Sequence, residues 1–165
     1  MNRIEKILKI IQDTPGIHIR GIMKESGFEN GVVVHYLRQL EEKGKIKSQK
    51  QPKYRRYYAI DVTEDEFPII RNMRKPTKKE VLFQILVEGN PSFKELILKI
   101  DKSPATLSWN LSELIDEGII EKCKKDGKPC YRVIDKELFK KIFHKEFSKL
   151  FSEKTEHAED IFLAL

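Results

Sequence analysis

The stretch GVVVHYLRQLEEKGKI, residues Gly31–Ile46, decides the fold, because it returns 74 positions later as ATLSWNLSELIDEGII, residues Ala105–Ile120. In each stretch apolar residues recur at helical spacing: Val33, Leu37 and Leu40 in the first, Leu107, Leu111 and Leu114 in the second. A glycine follows, Gly44 or Gly118, of the kind that ends a helix in a left-handed conformation. An isoleucine, Ile46 or Ile120, then opens an extended segment.

Working outward, the correspondence runs without a gap from Ile7 to Asp61. Leu8/Leu82, Ile11/Ile85, Lys50/Lys124, Tyr57/Tyr131, Ile60/Ile134 and Asp61/Asp135 are further identical pairs. Identities that fall mostly on the apolar periodicity and on one glycine are what two copies of one fold retain. Upstream, Ile4, Ile7, Leu8, Ile10 and Ile11 predict a first helix stopped by Pro15-Gly16; Val81, Leu82, Ile85 and Leu86 predict its twin, stopped by Gly89-Asn90-Pro91. A short second helix carries Ile19, Ile22 and Met23, or Phe93, Leu96 and Ile97. Ser103-Pro104 is a capping serine followed by a first-turn proline.

Downstream of each third helix the pattern is extended. Ile46–Ser48 leads through Pro52 to Tyr54–Ile60, and Ile120–Cys123 turns at Asp126-Gly127 and returns as Cys130–Ile134. Asp-Gly between two strands signals a hairpin. Three helices followed by a hairpin make a winged helix-turn-helix. The expected class is therefore mainly α with small β-hairpin wings (α+β). Expected boundaries are 1–61 for the first winged domain, 62–76 for a connector, 77–135 for the second, and 136–165 for a C-terminal amphipathic helix. Pro68 and Pro76 are expected to break regular structure in the connector, which Phe67, Ile69 and Ile70 mark as packed.

Charge separates the copies. The net charge of +6 arises wholly in residues 1–60, which hold 13 Lys/Arg against 6 Asp/Glu, whereas residues 77–135 hold 10 of each. A localised cationic excess points to a polyanion. With Val33, Leu37 and Leu40 inward, the third helix turns Asn30, Gly31, Val32, Val34, His35, Arg38 and Gln39 outward. A helix of this size enters the major groove of duplex DNA, where Asn or Gln reads adenine, Arg reads guanine, and Val meets a thymine methyl. Lys47, Lys50, Lys53, Arg55 and Arg56 of the wing are expected on phosphates or in the minor groove, and Arg20 beside the second helix's start on a further phosphate. A secondary DNA-binding set in the second copy comprises Thr106, Ser108, Lys122, Lys124, Lys125 and Lys128. The plainer alternative for either wing is a solvated edge strand guarded by lysines.

The segments Pro15–Arg20, Gly31–Glu41 and Arg55–Tyr58 resemble an archaeal winged helix-turn-helix group, and Ser103–Leu111 resembles the third helix of ArsR- and MarR-like transcriptional regulators. One departure is that Tyr36 and Asn110 stand where that group has a histidine before the leucine, with His35 one residue earlier. The resemblance implies a non-enzymatic, cytoplasmic transcriptional regulator acting on double-stranded DNA. The alternative is a tandem winged-helix protein-interaction module, of the chromosome-segregation or complex-assembly type, without specific DNA readout.

No phosphate-binding loop, dinucleotide fingerprint, nucleophile elbow or zinc-protease motif occurs in the chain. The histidines and cysteines lack metal-ligand spacing, so neither metal nor cofactor is expected. No apolar run approaches the ~20 residues of a membrane span. Cys123 and Cys130 fall opposite each other about Asp126-Gly127; a pair of free thiols is the expectation, a redox switch the sharper alternative. Pro129 is expected to distort that ladder. Leu138, Phe139, Ile142, Phe143, Phe147, Leu150 and Phe151 form one apolar stripe after the capping Asp135. The stripe either covers the chain's own domains or, the preferred reading, pairs with a second copy in a homodimer. Ile161–Leu163 is expected to fold back onto a core, and Trp109 to pack on the C-terminal helix.

Overall fold

Asn2 and Glu5 begin the first helix reciprocally. The Asn2 side chain accepts the Glu5 amide at 2.9 Å, and the Glu5 carboxylate accepts the Asn2 amide at 3.1 Å. This opens α1 (Arg3–Asp13), which buries Ile7 and Ile11. The computed structural model describes the backbone of residues 1–151 and the side chains of 1–146. It divides into two compact units, Met1–Ile70 and a second beginning at Arg71.

In the first unit the chain leaves α1 through Gly16, whose φ of +78° and closeness to Ile70 and Tyr58 both disfavour a side chain. It then forms β1 (Ile17–His18), α2 (Ile19–Ser26), α3 (Asn30–Glu42), β2 (Ile46–Lys50) and β3 (Arg55–Ala59). Val33, Leu37 and Leu40 are buried with Ile22, Ile7 and Ile11, as the helical spacing requires. Gly44 takes the left-handed conformation, φ +64°.

The sequence pattern did not announce β1. It pairs antiparallel with β3, Ile17 opposite Tyr57 and His18 opposite Arg56, so the sheet order is β1-β3-β2 and β3 is central. A strand covered on both faces loses its in–out alternation. Arg56, Tyr57, Tyr58 and Ala59 are accordingly buried in succession. Tyr58 stacks on Phe67 with ring centroids 4.0 Å apart.

The prolines of the 62–76 segment do not break structure. A 3₁₀ turn (Glu64–Glu66) leads into α4 (Phe67–Met73), and Pro68 and Pro76 stand in the first turns of α4 and α5 (Pro76–Glu88). There a missing amide hydrogen costs nothing, because first-turn donors have no partner within the helix.

The second unit repeats the plan. α5 buries Val81, Leu82, Ile85 and Leu86. Ser92 caps α6 (Phe93–Lys99), and Ser103 caps α7 (Pro104–Asp116) by accepting the Thr106 amide at 3.1 Å. β4 (Ile120–Lys125) and β5 (Lys128–Val133) meet at Asp126 and Gly127, whose φ values of 53° and 76° define the hairpin turn that Asp-Gly favours. Their sheet has two strands, not three. The counterpart of Ile17 is Pro91, which has no amide hydrogen to donate. What remains of the third strand is one bond, Tyr131 N to Pro91 O at 3.0 Å.

Arg71 and Asn72 both donate to Glu117 Oε2 at 2.7 Å. Burial alone raises the Glu117 pKa, but these donors override it and hold the carboxyl below its ordinary range. A depressed carboxyl adds stability above its unfolded value, and that stability is lost as pH falls through the folded value. Acid unfolding of Glu117→Gln should therefore depend less steeply on pH below about 4.5 than the parent's does. Parallel acid limbs for the two proteins would refute this.

Asp135 caps α8 (Lys136–Phe151), accepting the Leu138 amide at 3.1 Å. Phe139, Ile142 and Phe143 are buried, and Phe143 stacks on Phe83 of α5 at 5.8 Å. The first half of the stripe thus covers its own unit. Phe147, Leu150, Phe151 and Ile161–Leu163 lie outside the described side chains. Trp109 does not pack as expected: it is 66% exposed. Among the described residues no helix is long and apolar enough to cross a membrane.

Candidate nucleic-acid interface

α3 presents the side chains that its inward spacing leaves over. Asn30, Gly31, His35 and Arg38 are exposed, and Val32, Val34 and Gln39 half-exposed. One helical turn apart, His35 Nε2 and Gln39 Nε2 form a hydrogen bond of 3.0 Å. Gln39 must exchange this bond to offer both amide atoms to an adenine edge.

Three elements converge beside this face. The start of α2, the start of α3 and the wing enclose a cleft of about 440 Å³, lined by His18, Ile19, Arg20, Met23, Asn30, Lys53, Tyr54 and Arg55. Arg20, Asn30, Lys53 and Arg55, scattered over 36 residues of sequence, are thereby brought together. His18 organises the cleft. Its Nδ1 accepts the Gly21 amide at 3.0 Å, which caps α2, and its ring stacks on Tyr54 at 4.9 Å. The α2 terminus is therefore partly satisfied by His18 rather than left open for a phosphate. Sequence reasoning missed this role; a histidine two residues after Pro15-Gly16, at the start of the second helix, was its only signal.

The wing's five expected cations divide. Lys50, Lys53 and Arg55 are exposed, Arg55 being steadied by a 2.9 Å bond to Ser48 Oγ. Arg56 is 8% exposed, and its guanidinium donates to the Gly16 carbonyl at 2.8 Å. Central placement in the sheet turns this arginine into an internal tether, which removes it from the DNA-binding set. Lys47 lies 5.6 Å over the Phe67 ring, held against the body of the unit.

In the second unit Thr106, Ser108, Trp109 and Ser112 are exposed on α7, whereas Glu113 pairs with buried Lys78 at 2.5 Å. Lys122, Lys124, Lys125 and Lys128 are exposed on the wing, and Lys125 Nζ donates to Gly89 O at 3.2 Å. A cleft of about 650 Å³ lies between α6 and the wing of this unit, without a lining residue from α7.

Cys123 and Cys130 are opposite each other in the ladder, as counted from the turn. They are joined by a disulfide, with α-carbons 4.9 Å apart, so the expectation of free thiols is corrected. Nor does Pro129 distort the ladder. The Tyr131 amide points away from β4 to Pro91 O, and a residue two earlier faces the same way, so β4 loses no partner.

This is a protein of two tandem winged helix-turn-helix domains. Residues 2–67 match a family described as an N-terminal HTH domain, and residues 74–121 match the winged helix-turn-helix DNA-binding family. The chain is 27% identical over 140 residues to an uncharacterized HTH-type transcriptional regulator of Methanocaldococcus jannaschii. That match takes in 85% of this chain and 34% of the relative, so the chain spans about a third of the relative's length.

Proposed function

We propose that the chain is a sequence-specific regulator of transcription that binds double-stranded DNA through its first unit. The observation that carries this reading is the cleft where Arg20, Lys53 and Arg55 gather beside the exposed N-terminal half of α3. One docked duplex then receives α3 in its major groove, with Asn30, Val32, Val34, His35, Arg38 and Gln39 on base edges and Gly31 allowing close approach. Lys50, Lys53, Arg55 and Arg20 meet the flanking backbone or minor groove. The DNA-binding description of the family matched by residues 74–121, and the relative's name, support the same reading. Thr106, Ser108 and the four wing lysines of the second unit form a secondary contact set. The two domains take the bounds 1–61 and 77–135, and two copies of the chain pair through the C-terminal helix of residues 136–165.

Selection of bound sequences from a random duplex pool tests the reading. A palindromic motif is expected, its two halves reflecting a symmetric dimer. An enriched motif without symmetry would remove the dimer. No enrichment at all would overturn specific readout in favour of a protein-interaction module.

A further inference from the structure

The register of the second wing sorts its cross-strand pairs by face. One face carries Glu121–Arg132, then Cys123–Cys130, then Lys125–Lys128, in order toward the tip. The first is an ion pair at 2.7 Å, the second is the disulfide, and the third sets two like charges directly opposite. Like-charged partners push strands apart. The sulfur pair, next to it on the same face, is the covalent tie that opposes this repulsion, alongside the bond from Lys125 Nζ to Gly89 O. In the first wing the corresponding pair is Gln49–Arg56, where the bond from Arg56 to Gly16 does the holding. Cys123 is half-buried and Cys130 only 3% exposed, so one sulfur is open to attack and the other shielded. Cys130 also lines the second unit's cleft, where Lys94, Lys125 and Lys128 outnumber Glu95 and Asp126, a positive balance that favours a departing thiolate.

We propose that Cys123–Cys130 is an exchangeable thiol–disulfide site that sets the order of the second wing's tip and, resting on the DNA reading above, that wing's hold on the duplex backbone. A dithiol supplies the electrons. Its thiolate attacks Cys123 Sγ, the sulfur–sulfur bond breaks, and Cys130 leaves as a thiolate beside Lys125 and Lys128. The reductant's second thiol then attacks its own sulfur in the mixed disulfide and releases Cys123. Two electrons pass to the cysteines, the two thiol protons end on their sulfurs, and the reductant becomes a disulfide. An oxidised dithiol reverses the exchange. The reduced tip keeps its lysines but not their fixed spacing, so binding a polyanion then carries the entropy of ordering them.

The test uses the full chain, oxidised or reduced with dithiothreitol, beside Cys123→Ser/Cys130→Ser. Hydrogen exchange of the amides at 124–128 and binding of a fluorescent random-sequence duplex are read in each state. Reduction should speed exchange at the tip about tenfold while leaving α3 unchanged. Duplex affinity should fall about threefold. The double serine variant should behave as reduced under both conditions, and Lys125→Ser/Lys128→Ser should bind weakly without responding to reductant. Two free thiols in the air-oxidised protein, or equal exchange in both states, would overturn the proposal. Tight binding indifferent to reductant removes the wing's hold on DNA from it and leaves the DNA reading standing. A responsive tip on a chain that binds no duplex in either state instead supports the thiol site and defeats the DNA reading.

Discussion

The variant Arg20→Ala/Lys53→Ala/Arg55→Ala is expected to bind duplex DNA roughly 10²–10³-fold more weakly than the parent, at unchanged stability. The three cations come from α2 and the wing yet line one cleft, and each is exposed. Each phosphate neutralised releases about 0.9 of a condensed counterion, so the slope of log affinity against log salt should fall by roughly 3. Exposed side chains without core contacts add little to folding, so the melting temperature should hardly move. Fluorescence anisotropy at several salt concentrations measures both quantities. If affinity and slope match the parent's, the cleft is not where DNA binds, and the protein-interaction alternative gains.

Its neighbour in sequence should behave in the opposite manner. Arg56→Ala is expected to cost about 3 kcal/mol of folding stability, because it leaves the buried Gly16 carbonyl without its donor and opens a gap in the sheet. For a unit of this size each kcal/mol lowers the midpoint by roughly 4–8 °C. At a temperature where the variant is still folded, its duplex affinity should equal the parent's. Chemical denaturation together with anisotropy separates the two effects. A stable protein with lost affinity would return Arg56 to the DNA-facing set. Adjacent arginines, one felt only in binding and the other only in folding, would fix where β3 passes from the exposed wing into the interior of the unit.

That contrast also marks how far the sequence could be read. Helices were legible because Val33, Leu37 and Leu40 and their twins repeat at the period that buries one face. The second hairpin's register was legible because Asp126-Gly127 admits one tight turn. What escaped depended on partners distant in sequence. Arg56 belongs by pattern to a basic wing, and only pairing with a two-residue strand 38 residues earlier makes its strand central. The same pairing hides the capping role of His18. Position-by-position charge counting cannot see either. On α3 the residues expected outward are exposed or half-exposed, while of the wing's five cations Arg56 is buried and Lys47 lies half-exposed over the Phe67 ring.

Pro91 has a consequence for colloidal behaviour. By costing the second sheet its third strand, it leaves the outer border of β5 open, with Tyr131 making its one described bond there. An open border of this kind is a template on which another molecule's strand can stick. Here the border is itself poorly suited to sticking. Pro129 brings no amide hydrogen to it, and Lys128 and Arg132 bring charge. The donor missing at residue 91 is answered by another missing at residue 129, so the opening that the first creates is one the second keeps from seeding aggregation.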